Sequence, residues 1–524
     1  MNNLDFKQAL QFLQAHDPAE IISDSLIGIE KESLRVNSEG RIAQTPHPVA
    51  LGSALTHPTI TTDYSEALLE LITAPHRSIK NVLKQLDDLH RWVYAHLDDE
   101  FLWATSMPCI INGEDSIRIA DYGSSNIGTM KTVYRRGLGH RYGKMMQVIS
   151  GVHFNYSVPL SFWAALQNHT SDSTDPVVFR SENYMEMLRN LQRFGWLIPY
   201  LFGASPAVCE SFLNNQPTRL NYLAKNTYYE PYATSLRLGD IGYQNKKEGQ
   251  TGVKINYNGL KPYAGSLENA TETPCPEYRP IGVNTDDGYR QLNDHQLQIE
   301  NEYYSSARPK TILRDMEKPV RALEDRGIEY VELRSIDVNA FDPLGVSETQ
   351  LYFLEVFMIY SLLKPSAPIS DTESQMINTN MNRAAHSGRD PDCALDKPEG
   401  QQLLCDWAAE IMDELKPICA WLDQDIPSSP YLKSVENQML KINQPDTIPS
   451  TQIIQQLTDQ EISYFQFAKQ QSLQTAEYFR QRPLETAQQN KFKTQSIVSQ
   501  ENQTKIEAAD SESFSEFLEH YFAQ

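Results

Sequence analysis

The chain has 524 residues, 40% hydrophobic and 10% aromatic, which is enough apolar material to fill a sizeable core. Its 46 Lys and Arg stand against 68 Asp and Glu, a net charge of −22. That balance excludes nucleic acid as the principal partner, because a phosphate backbone demands a basic face, while leaving room for a small anion in a local basic pocket.

The opening MNNLDFKQALQFLQAHD repeats apolar residues at helical spacing and carries neither a basic leader nor a cleavage site. IGIEKESLRV (27–36) predicts a strand with Glu30 and Glu32 on one face. EALLELIT (66–73) reads as a strand whose Glu66 and Glu70 share a face with Leu68 and Ile72; a helix capped by Asp63 or Ser65 is the alternative. KTVYRRGLGHRYG (131–143) gathers Arg135, Arg136 and Arg141 around glycines. Guanidinium suits a transferring phosphoryl group, and the plainer reading is a basic helix face paired with acidic surface. MQVISGVHFNYSV (146–158) predicts a strand with Gln147, His153 and Asn155 on one face. YATSLRLGDIGY (232–243) sets Arg237 between Tyr232 and Tyr243, as a carboxylate receptor or as a structural guanidinium stacked on tyrosine. IEYVELRSIDV (328–338) predicts a strand with Tyr330, Glu332 and Arg334 on one face.

From about residue 366 the strand pattern disappears, and runs such as LLCDWAAEIMDELKPICAWL predict helices. AQQNKFKTQSIVSQENQTK (487–505) reads as a polar, mobile excursion. Without repeats or long linkers, the expected organisation is one catalytic domain over 1–524, with a sheet-bearing core at 1–365 and a helical region at 366–524. No 18 consecutive residues are apolar, and no two of the six cysteines stand in C-x-x-C spacing. The expectation is a cytoplasmic protein with free thiols and no membrane partner.

The strand faces collect carboxylates, one imidazole and one guanidinium with almost no lysine. Carboxylates gathered that way repel one another unless a cation shares their charge, and hard divalent ions take such oxygen ligands. Glu30, Glu32, Glu70, His153 and Glu332 therefore form a candidate multi-metal site. A glycosidase carboxylate pair would leave Arg135, Arg237 and Arg334 unexplained.

Taken together, GIEKESLRVN, HPVALGSALTHPTITTDYSEALLELIT, KTVYRRGLGHRYG, MQVISGVHFNYS, RFGWLIPYLFGASPAVC, YATSLRLGDIGY, LQIENEYYSSARPK and GIEYVELRSIDVNAFDP closely resemble the proteobacterial type of glutamate–cysteine ligase, also called γ-glutamylcysteine synthetase. The resemblance runs from about residue 20 to about 365. It implies an α+β fold in which a curved, mainly antiparallel, glutamine-synthetase-like sheet lines the site among helices, with a helical C-terminal third. It also implies ATP-dependent joining of the L-glutamate γ-carboxylate to the L-cysteine amine through γ-glutamyl phosphate, the first step of glutathione biosynthesis. Carried over by motif, Glu30, Glu32, Asp63, Glu70, His153 and Glu332 are implied ligands of Mg²⁺, with Mn²⁺ possible. Arg135 and Arg334 are implied to neutralise phosphoryl oxygens. Tyr64, Tyr134, Leu138, Gln147, Arg237, Tyr243 and Tyr304 are implied to form the cysteine pocket, with Arg237 on the α-carboxylate. Loops near Gly137, Gly239 and Tyr304 are the expected lid. A monomer inhibited by glutathione completes the expectation.

Overall fold

The structure, a computed structural model, describes residues 4–108, 110–214, 216–242, 252–314 and 316–524. Its centre is a seven-stranded sheet. The strands are β1 (Leu26–Val36), β2 (Ile60–Thr62), β3 (Leu68–Ile72), β4 (Phe101–Leu102), β5 (Val152–Ser157), β6 (Ala307–Lys310) and β7 (Tyr330–Ile336). The order is β6-β7-β5-β1-β3-β2, and β4 pairs with the end of β1. Every pairing is antiparallel and the sheet is open.

Alternation gives this sheet two unlike faces. Ile27 and Ile29 of β1, Leu69 and Leu71 of β3, Phe154 and Tyr156 of β5, and Val331 and Leu333 of β7 share the buried back face through their cross-strand register. Helices α1 (Phe6–Gln14), α2 (Ile79–Tyr94), α3 (Asn126–Tyr142), α4 (Glu348–Leu363), α5 (Leu404–Leu422), α6 (Pro430–Asn443) and α7 (Thr486–Ala509) surround the sheet together with others. α2 and α4 pack on the back face, and nearly every side chain of α4 is buried. α1 starts on a reciprocal cap in which Asp5 accepts from the Gln8 amide and Gln8 accepts from the Asp5 amide.

Several local expectations change. EALLELIT is a strand over Leu68–Ile72 and not a helix, but the chain turns at Ser65–Leu68, so Glu66 leaves the sheet face. Its carboxylate instead accepts from the His47 and Asp121 amides. Met146–Val148 is a 3₁₀ turn, and the strand begins only at Val152. Gly137 lies inside α3 rather than in a lid loop. A Cβ there would stand 2.2 Å from Gln298 Oε1, so this glycine serves close packing.

The segment 487–505 belongs to the continuous helix α7, not to a mobile excursion. Phe492 stacks on Trp92 with ring centroids 5.7 Å apart, and Ser499 Oγ accepts from the Ser53 amide at 3.0 Å. The C-terminal region is otherwise helical as expected, apart from a hairpin of Ala394–Lys397 and Gly400–Leu403. Cys209, Cys275, Cys393, Cys405 and Cys419 form no disulfide with one another. No described helix is long and apolar enough to cross a membrane.

Two stability measurements follow from this packing. Phe492→Ala is expected to cost about 3 kcal/mol or more, read as a lower midpoint in denaturant unfolding. Glu355, buried in α4 beside the Tyr431 hydroxyl, has its carboxyl pushed up to about 7, with burial as the cause. A raised folded-state pKa favours folding below the unfolded value and loses that contribution as pH rises through 7. Glu355→Gln is therefore expected to flatten the fall of the melting temperature between about pH 4.5 and 7, the ordinary and the raised values.

Candidate active site

The front face of the sheet carries the chemistry, and strand register determines who meets whom. Glu30 of β1 lies opposite His153 of β5, and Glu32 lies opposite Glu70 of β3. Glu332 of β7 faces Asn155 on one side and Arg308 of β6 on the other. His153 Nδ1 stands 3.1 Å from Glu30 Oε2, and Asn155 Nδ2 donates to Glu30 Oε1 at 2.9 Å. Arg334 Nη1 donates to Glu332 Oε2 at 3.0 Å, and Lys310 Nζ lies 3.3 Å from Glu332 Oε1. Glu32 Oε2 accepts from the Gly151 amide at 2.6 Å.

Asp63 enters from the turn after β2. Arg135 of α3 donates to its carbonyl, and their charged ends stand 3.8 Å apart. α3 thus presents Tyr134, Arg135 and Leu138 across from the sheet. Together these side chains enclose a cavity of about 300 Å³. Glu30, Glu32, Asp63, Glu70, His153, Glu332, Arg135, Arg334, Tyr64, Tyr134, Leu138, Gln147, Arg237 and Tyr304 all line it. Tyr243 lies outside the described residues.

The carboxylates differ in electrostatic setting. Burial alone would push Glu332 up, yet Lys310, Arg334, His153 and Arg308 outweigh it and hold the carboxyl well below its ordinary range. For Glu30, burial and the Glu332 charge are likewise overcome by His153 and Lys310, and its pKa falls. Glu32 is raised, chiefly by burial. Glu70 is raised well above the usual carboxylate range by burial and by the like charges of Glu30, Asp63 and Glu32. Such a corner is short of positive charge. Oxygen and imidazole donors from Glu30, His153 and Glu332 also lie within 4.8 Å of one another. This donor set fits a hard divalent cation.

Two groups escaped the sequence reading. Arg308 and Lys310 line the same cavity, so the sheet face is not without lysine. Strand alternation in ARPK would have put both on one face, but Pro309 between them obscures a four-residue edge strand. Glu302 also lines the cavity, yet both its oxygens are engaged: Arg141 at 2.9 Å and the Tyr142 hydroxyl at 2.8 Å on one, Gln298 on the other. Of the three arginines in KTVYRRGLGHRYG, only Arg135 reaches the site. Arg141 is fully buried against Glu302 and Gln291, and Arg136 donates to the Tyr289 carbonyl.

The family model described as glutamate-cysteine ligase matches residues 10–384. The glutamate–cysteine ligase of Alcanivorax borkumensis is 42% identical, over 98% of this chain and 99% of its own length. That of Pseudomonas putida is 42% identical, over 98% of this chain and 97% of its own. The crystal structure of glutamate–cysteine ligase from Francisella tularensis in complex with AMP superposes with a TM-score of 0.89 at 36% identity, covering 96% of this chain and 98% of that one. A sheet face of buried carboxylates opposite arginines, within a fold and sequence shared along nearly the whole chain, makes this protein a member of the glutamate–cysteine ligase family, the ligases that open glutathione biosynthesis.

Proposed function

We propose that the protein joins the γ-carboxylate of L-glutamate to the amine of L-cysteine, driven by ATP through γ-glutamyl phosphate, and releases γ-glutamylcysteine, ADP and phosphate. The observation that carries this reading is the convergence of carboxylates, one histidine and four arginines on a single cavity. The AMP bound to the Francisella tularensis relative supports nucleotide use.

A carboxylate is a poor acyl donor, so phosphorylation supplies the leaving group that the cysteine amine displaces. Glu30, Glu32, Asp63, Glu70, His153 and Glu332 would hold Mg²⁺, or Mn²⁺, and the ions when bound neutralise charge between nucleotide and glutamate. Arg135 and Arg334 face the transferring phosphoryl oxygens, each pre-oriented by a carboxylate partner: Asp63 for the first, Glu332 for the second. Arg308 and Lys310 add positive charge beside Glu332.

Tyr64, Tyr134, Leu138, Gln147 and Tyr304 wall the cysteine pocket, and Arg237 grips the cysteine α-carboxylate. Loops carrying Gly239 and Tyr304 exclude water from the acyl phosphate, which would otherwise hydrolyse. In this reading the enzyme works as a cytoplasmic monomer restrained by glutathione.

Phosphate release from ATP, with glutamate and cysteine omitted in turn, tests the reaction. Rapid release is expected only with both present, and release that ignores glutamate would overturn the proposal. Glu332→Gln is expected to lower turnover by about 100-fold or more while circular dichroism stays native. Unchanged turnover at ordinary Mg²⁺ would remove the metal shelf from the mechanism.

A further inference from the structure

Arg237 stands on a turn-rich loop, yet its guanidinium is only 2% exposed, so something other than the loop must seat it. Asp337, one residue beyond the end of β7, is fully buried. Its Oδ2 accepts from the Ala204 amide at 2.9 Å and from the Ser205 hydroxyl, while Oδ1 accepts from the Ser235 hydroxyl at 3.0 Å. Oδ1 also lies 3.6 Å from Arg237 Nη1. Arg237 Nη2 donates to the Arg334 carbonyl at 2.9 Å. On another side, the guanidinium lies against bare backbone. A Cβ on Gly151 would stand 2.1 Å from Nη2 and 2.8 Å from Cζ.

We propose that Asp337 and Gly151 are positioning residues that seat the Arg237 guanidinium and so govern recognition of the acceptor's α-carboxylate. The inference rests on the reading of Arg237 as the receptor for that carboxylate. Asp337 supplies the counter-charge that holds one edge of the fork, and Gly151 supplies the space the fork occupies. β7 then does two jobs. Its Arg334 side chain faces the phosphoryl position, while its backbone at Arg334 and the following Asp337 hold the group that orients the acceptor. One strand sets the spacing between the two halves of the reaction.

Asp337→Asn suits the test because its fold is expected to survive. The amide oxygen can take the Oδ2 position and keep the Ala204 and Ser205 donors. The amide NH₂ then takes the Oδ1 position, where the Ser235 hydroxyl can turn to accept. Only the attraction to Arg237 is lost, replaced by a donor facing a donor. Gly151→Ala attacks the same seat from the other side, so the test does not hang on one variant.

The readout is the ratio of kcat/KM for L-cysteine to that for cysteamine, the same thiol amine without its carboxylate, at saturating ATP and glutamate. Both rates come from one sample, so a loss of folded protein cancels from the ratio. Arg237→Ala sets the floor. Asp337→Asn and Gly151→Ala are expected to bring the ratio down towards that floor, by about tenfold or more. If Arg237→Ala lowers the ratio and both other variants keep the wild-type value, the positioning role is overturned while the receptor reading survives. If Arg237→Ala itself leaves the ratio unchanged, the receptor reading fails and the inference goes with it.

Discussion

The structure is organised around the repulsion between buried carboxylates. Glu30, Glu32, Glu70 and Glu332 project from three strands of one sheet onto the same small space, with Asp63 beside them. Charges packed that closely with little water favour their neutral forms unless cations intervene. The protein meets this demand unevenly. Glu332 is surrounded by Lys310, Arg334, Arg308 and His153, and its proton affinity collapses. At Glu70 burial and then the neighbouring acids prevail over Arg334, and its proton affinity climbs. One end of the shelf is neutralised by the chain itself, and the other is left to attract positive charge from outside.

That arrangement requires the back of the sheet to be rigid and dry. Apolar side chains of β1, β3, β5 and β7 fill it under α2 and α4, so the front face cannot slide relative to its neighbours without exposing them. A slip of one residue between β1 and β5 would turn Glu30 and Glu32 into the apolar layer. Register and chemistry are thus secured by the same burial. Even Lys31, a charged group on the back of β1, is accounted for locally: its ammonium hydrogen-bonds His90 Nε2 at 2.9 Å.

Much of the site was legible because strands have a short period. IGIEKESLRV and IEYVELRSIDV announce both strand and face, and the carboxylates fall on the correct side of each. Glu66 broke the rule because the chain turns just before β3, and no alternation pattern reports a turn one residue early. α3 was hard to read for another reason. Its glycines look like loop residues, whereas they accommodate neighbouring side chains inside a continuous helix. α7 hid itself by polarity, since its buried positions include Ser496 and Ser499 as well as Phe492. A helix that buries serines leaves little hydrophobic period to detect.

α3 also limits how the molecule can vary. Within one stretch of helix it presents Tyr134, Arg135 and Leu138 to the cavity and, two turns beyond Tyr134, locks Arg141 to Glu302. Each added or deleted residue would swing everything beyond it by about 100° and advance it about 1.5 Å. A length change there would carry Arg135 away from Asp63 or tear Arg141 from its fully buried partner. Length polymorphism among natural or engineered versions of this chain should therefore gather in the connections, while this helix keeps its residue count.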